Sequence, residues 1–86
     1  MVERNVTVNL PQGLHARPAG LFVKKASTFR SEIRLGKDGK YINAKSILGL
    51  MSMAVAKGQE VSLVAEGTDE EEVVNALAEM LARSED

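Results

Sequence analysis

The apolar residues of this chain change spacing along its length, from every second position to every third or fourth and back. That succession constrains the fold more than any other feature. Val2, Val6, Val8 and Leu10 alternate with Glu3, Asn5, Thr7 and Asn9, and Arg4 is the one polar residue on the apolar side. Period-two alternation marks a strand with one buried face. Pro11-Gln12-Gly13 ends the run with turn residues. Over residues 16–29, Ala19, Phe22, Ala26 and Phe29 recur three or four apart, which is the stripe of an amphipathic helix. Lys24 and Lys25 suit the C-terminal end of that helix dipole, and Pro18 falls in the first turn, where a missing N–H does no harm. Pro18 also biases Arg17 away from helical dihedrals, which predicts a slightly irregular helix start.

Residues 32–35 and 40–43 are short strand candidates, and Asp38-Gly39 between them is a hairpin signal. Residues 46–53 form a short apolar segment led by Ser46, the favoured residue type for an N-cap, and predict a short helix despite Gly49. Val61, Leu63 and Ala65 alternate with polar neighbours and predict a fourth strand, with Val64 breaking the polar side. Thr68 and Glu71 have capping-box spacing, and Val73, Val74, Leu77, Met80 and Leu81 supply the stripe of a terminal helix. Ser84-Glu85-Asp86 reads as a frayed tail. The order strand, helix, strand, strand, helix, strand, helix is an α+β pattern, a mostly antiparallel sheet with helices on one face.

The chain has 86 residues, which predicts one domain over residues 1–86. Its aromatic side chains are Phe22, Phe29 and Tyr41, so the core must rest on aliphatic residues. Without cysteine, disulfides, thiolate metal sites and thiol catalysis are excluded; with one histidine, so is a histidine-rich metal site. A net charge of −1 with interspersed signs gives no footprint for nucleic acid. No apolar run resembles a signal peptide or spans a bilayer, so a cytoplasmic protein without membrane insertion is expected.

The one histidine, His15, lies where the first strand gives way to the first helix. A helix N-terminus presents unpaired backbone N–H groups and the positive end of the dipole. Arg17 adds a rigid fork of donors suited to phosphate oxygens. The imidazole supplies a nitrogen nucleophile. Phosphoryl transfer asks a protein mainly for positioning and electrostatics, and these residues offer both. Gly13 and Gly20 lack a β-carbon, which favours close approach by a partner. A lone histidine at a helix start is also an ordinary cap residue, and residue types alone leave the two readings open.

Gly13-Leu14-His15-Ala16-Arg17-Pro18-Ala19 resembles the active-site signature of HPr, the histidine-containing phosphocarrier family of the bacterial sugar phosphotransferase system. Asn43-Ala44-Lys45-Ser46-Ile47-Leu48-Gly49-Leu50-Met51-Ser52 resembles the regulatory-serine region of that family. The resemblance spans nearly the whole chain. It implies an open-faced β-sandwich, a four-stranded sheet under three helices in the order βαββαβα. It implies that His15 takes a phosphoryl group on Nδ1 from phospho-enzyme I and passes it to IIA domains of sugar permeases, with Arg17 stabilising the phosphorylated state. Such a protein is a carrier rather than an enzyme, and no cofactor or metal is implied.

Ser46 is an N-cap on spacing alone. The resemblance makes it the serine that HPr kinase/phosphorylase modifies in Gram-positive HPr proteins. The phosphoserine form would be bound by a catabolite-control repressor. Ala16, Ala19, Gly20, Lys24, Ile47, Leu48 and Met51 are the expected partner-binding residues, with Arg17, Lys24 and Lys45 as a basic rim. Leu21-Phe22-Val23, Lys37-Asp38-Gly39-Lys40 and Asn43-Ala44-Lys45-Ser46 are also similar to the catabolite-repression HPr paralogue of bacilli, which is regulatory, lacks the histidine and can exchange its first strand in a dimer. The alternative function is therefore a purely regulatory corepressor module acting through phospho-Ser46. A third reading, a small hydrolase of the acylphosphatase type using Arg17 and Asn43, has the element order but no recognisable phosphate loop.

Overall fold

A computed structural model describes residues 1–83. Its elements in chain order are β1 (Val2–Thr7), α1 (Ala16–Ala26), β2 (Glu32–Lys37), β3 (Lys40–Asn43), α2 (Ile47–Ser52), β4 (Glu60–Glu66) and α3 (Glu70–Ala82). The strands lie side by side as β1-β4-β2-β3, and every neighbouring pair is antiparallel. The last strand in sequence thus fills the place between the first two. All three helices cover one face: α3 packs on β1 and β4, α2 on β3, and α1 on both other helices.

Period-two alternation works here because paired residues share a face. Ile33 lies opposite Ala65, Leu35 opposite Leu63, and Val6 opposite Val61, and all six are buried. They meet Ala19, Phe22 and Ala26 from α1, Leu50 from α2, and Val73, Val74, Leu77 and Leu81 from α3. Fully burying side chains of this kind contributes about 1.5–3 kcal/mol each. The other face is open and polar; Ser62 Oγ donates there to Asn5 Oδ1 at 2.8 Å. Arg4 lies opposite Leu63, on the core side of the edge strand β1, where it stays exposed.

The hairpin signal is answered closely. Asp38 and Gly39 have φ of 54° and 82°, and Lys37 pairs with Lys40 across the two-residue turn. Two left-handed residues match the twist of the flanking strands. The strand β2 runs to Lys37, beyond the expected residue 35, because Gly36 continues the ladder beneath the Tyr41 ring. A β-carbon on Gly36 would collide with that ring.

Several expectations need correcting. The helix α1 ends at Ala26 instead of Phe29. Thr28 N–H and its hydroxyl both donate to Lys25 O, which tightens the last turn, and Lys45 Nζ holds the Phe29 carbonyl at 3.0 Å. Arg17 lies within the regular helix; Ala19 N–H closes the first turn on His15 O at 2.9 Å despite the bias from Pro18. The Thr68–Glu71 capping box does not form. Asp69 is the N-cap residue of α3 and makes no side-chain cap bond. Its carboxylate instead accepts from Arg30 N, Ser31 N and the Ser31 hydroxyl, tying α3 to the start of β2. Glu70 Oε1 accepts from Gly67 N at 3.1 Å, half a capping box one residue earlier. Met80 is only partly buried, and the expected tail, Ser84-Glu85-Asp86, lies outside the described residues.

Candidate functional site

Beyond β1 the chain is fastened by backbone bonds rather than by a strand. Val8 and Gly58–Gln59 exchange bonds of 2.9 and 2.7 Å, and Asn9 N donates to Leu81 O. The turn that follows brings Gly13 N to Leu10 O at 2.9 Å, with Gly13 at φ +68°. Leu14 is buried, and its N–H donates to Val55 O at 3.0 Å. His15 comes next, half-buried, in extended conformation at the N-cap of α1.

The histidine side chain makes no cap bond to its own helix. The N–H groups of Ala16 and Arg17 belong to the first turn, where helix geometry provides no internal acceptor. Pro18 has no N–H and is buried, so it stiffens the turn without adding a donor. Ala16 and Arg17 are exposed beside His15. The arrangement therefore places an imidazole, two backbone donors and an exposed arginine in the first turn of one helix. An anion formed on the imidazole would be held by the dipole and the donors together.

Along α1, Ala16, Gly20 and Lys24 follow one another at intervals of four, on one face that is at least partly accessible. Ala19 is completely buried, which removes it from the expected docking residues: its position in the Ala19, Phe22, Ala26 stripe turns it into the core. Gly13 is also not a point of partner approach. A β-carbon there would run into Val55 O and lie 2.8 Å from Ala56 Cα, so what approaches Gly13 is the protein's own backbone. At Gly20 a β-carbon would meet Ile47 Cδ1 at 3.8 Å, ordinary contact, so α2 abuts α1 at this point.

The helix α2 begins at Ser46, whose hydroxyl accepts from Gly49 N at 3.2 Å. Asn43 Oδ1 accepts from Lys45 N at 2.9 Å and shapes the turn that leads into it, so Asn43 acts locally in the α2 entrance. Leu50 points into the core, while Ile47, Leu48 and Met51 are exposed, Leu48 to 81%. Leu21 on α1 is exposed as well. Leu21 is not among the expected partner-binding residues, although it lies outside the buried stripe and four residues after Arg17. Apolar surface of this kind with a polar surround marks interaction sites. Of the expected basic rim, Arg17 and Lys24 are exposed; Lys45 is half-buried and directed to the Phe29 carbonyl.

The architecture is a four-stranded antiparallel sheet under three helices, with a histidine at the N-cap position of the first helix. The family model described as "PTS HPr component phosphorylation site" matches residues 2–83. The chain belongs to the HPr family of phosphocarriers and HPr-like proteins. It is 56% identical over 77 residues to the HPr-like protein Crh of Halalkalibacterium halodurans, covering 90% of this chain and 92% of that one. The crystal structure of HPr-C-His from Thermoanaerobacter tengcongensis superposes with a TM-score of 0.91 at 51% identity, covering 94% of this chain and 91% of the other. Bacillus subtilis Crh, crystallised as a swapped, intertwined dimer, gives 0.76 at 54% identity, covering 94% and 93%. In the present structure β1 pairs with β4 of its own chain. No helix among the described residues is long and apolar enough to cross a membrane.

Proposed function

We propose that this protein is the phosphocarrier of a phosphoenolpyruvate-dependent sugar phosphotransferase system, regulated at Ser46. His15 Nδ1 attacks the phosphoryl group on the donor histidine of enzyme I. A new N–P bond forms as the donor N–P bond breaks. The same exchange then runs forward onto a histidine of a IIA domain. Arg17 and the Ala16 and Arg17 N–H groups stabilise the added charge, while Ala16, Gly20, Leu21, Lys24, Ile47, Leu48 and Met51 form the docking face. On this reading the protein works in the cytoplasm. The observation that carries the proposal is the position of His15 at the N-cap of α1, beside Arg17 and the donors of the first turn.

At Ser46, HPr kinase/phosphorylase would transfer a phosphoryl group to Oγ. The phosphate oxygens can take over the bond from Gly49 N, so α2 survives the modification. About two negative charges would then stand beside Ile47, Leu48 and Met51, disfavouring enzyme I and favouring the catabolite-control repressor. The similarity to Crh supports a second reading, a corepressor module that acts only through phospho-Ser46. Incubation of wild type, His15→Ala and Ser46→Ala with enzyme I and labelled phosphoenolpyruvate separates the two. The carrier reading expects acid-labile label on wild type and Ser46→Ala but not on His15→Ala. Wild type left unlabelled, while the kinase still labels Ser46, favours the corepressor.

A further inference from the structure

Lys37, at the end of β2, sits far from the helix start in sequence, yet its ammonium is fully committed. Nζ donates to Met53 O at 2.8 Å, to Ala54 O at 3.3 Å and to Gln59 Oε1 at 3.2 Å. The first two carbonyls belong to the C-cap of α2, Met53, and to the residue after it. Ala54 there has φ +51°, a conformation that costs a non-glycine residue energy. A cation on those carbonyls complements the C-terminal end of the helix and holds the left-handed turn. Gln59 Oε1 accepts from Ala56 N at 2.8 Å as well, so the 53–59 segment is closed on itself around Lys37. That segment carries no helix or strand before Glu60. Val8 fastens its far end at Gly58 and Gln59, Val55 is buried, and the Lys37 and Gln59 side chains tie its start to its end. Gly13 and Leu14 lie against its Val55–Ala56 backbone: Leu14 N donates to Val55 O, and Gly13 has no room for a β-carbon. His15 is the next residue.

We infer that Lys37, through the 53–59 segment and the Leu14–Val55 bond, is a positioning residue for phosphoryl transfer at His15. This rests on the phosphocarrier reading and extends it to a residue that touches neither His15 nor a docking partner. Lys37 does not touch the exposed face of α1 and meets α2 only at and beyond its C-cap, so removing the clamp costs alignment of the imidazole more than docking. Misplacing a reacting group by an ångström through a distant substitution can cost as much as about 100-fold in rate.

The test compares Lys37→Met, which keeps the unbranched stem without the ammonium, with Lys37→Arg, Gln59→Leu and Gln59→Glu. Ser31→Ala weakens the Asp69 clasp elsewhere and serves as a control for lowered stability. Two quantities are measured: hydrogen exchange of the Leu14 amide in the unphosphorylated protein, and kcat and KM for phosphorylation by enzyme I. In Lys37→Met and Gln59→Leu, Leu14 exchange should rise about tenfold or more relative to distant amides, as local opening becomes easier. In both, kcat should fall at least several-fold, by a larger factor than any change in KM. Lys37→Arg and Gln59→Glu, which keep a donor and an acceptor, should recover most of both. An unchanged kcat in Lys37→Met overturns the inference, as does an unchanged Leu14 exchange or an equal loss of kcat in Ser31→Ala. Wild type that enzyme I does not phosphorylate at all refutes the phosphocarrier reading and the positioning role with it; the exchange data then still decide whether Lys37 shapes the loop.

Discussion

Replacing Gly13 by alanine is the sharpest perturbation of the loop that presents His15. Gly13 has φ +68°, and an alanine held there costs about 1–2 kcal/mol in backbone strain. The added β-carbon meets Val55 O and Ala56 Cα, both backbone atoms, so it cannot be relieved by turning a side chain. The two segments must separate, which breaks the 3.0 Å bond from Leu14 N to Val55 O. A lost bond of this kind costs about 0.5–1.5 kcal/mol. Alanine restricts the unfolded chain and returns roughly 0.5–1 kcal/mol. The net expectation is a destabilisation of about 2 kcal/mol, or a fall in Tm of roughly 8–16 °C for a domain of this size. Urea unfolding followed by circular dichroism measures it. Gly20→Ala is the contrast: it lies inside α1 with ordinary contact to Ile47, and it should stabilise by about 0.5 kcal/mol. If Gly13→Ala unfolds within about 0.5 kcal/mol of wild type and keeps its Leu14 amide protected, the reasoning about the loop is wrong.

Leu48→Ala, at an 81% exposed position, should leave stability within about 0.5 kcal/mol and raise KM for enzyme I; unaltered KM would remove Leu48 from the docking face. Ser46→Ala should cost about 1 kcal/mol through the lost bond to Gly49 N, read from the urea midpoint. Asp69 lies below its ordinary pKa near 3.8, chiefly because the Ser31 hydroxyl and then the Arg30 N–H donate to its carboxylate. Glu70 lies below its ordinary 4.5 through the Gly67 N–H and the Met1 ammonium 3.1 Å away. A carboxylate with a depressed folded pKa stabilises above its unfolded value, and that stabilisation is lost as pH falls through the folded one. Stability of wild type should therefore decline below about pH 4.5, and Asp69→Asn should show a shallower decline in acid urea titrations.

The parts of the fold that were legible in the sequence are those set by neighbours in the chain. The alternation of Val61, Leu63 and Ala65 specifies a buried strand face, Asp38-Gly39 specifies a turn with two left-handed residues, and Ser46 specifies a cap. What the sequence hid depends on partners far along the chain. The end of α1 is settled partly by Lys45 reaching Phe29 O from 16 residues away. The start of α3 departs from the expected box because Asp69 is drawn to Arg30 and Ser31, 39 and 38 residues away. The site divides in the same way. His15 at a helix N-cap follows from local pattern, and so does the exposure of Leu48. The burial of Ala19 was readable from its own stripe, whereas the packing of Gly13 on Val55 required the tertiary fold.

The central claim is that His15 carries a phosphoryl group. Phosphorus NMR of the protein incubated with enzyme I and phosphoenolpyruvate tests it most directly, followed by addition of a IIA domain. The account predicts a single phosphohistidine resonance, lost in acid, absent from His15→Ala, and discharged onto the IIA domain. A spectrum with no phosphohistidine, from protein that HPr kinase/phosphorylase still modifies at Ser46, would contradict it.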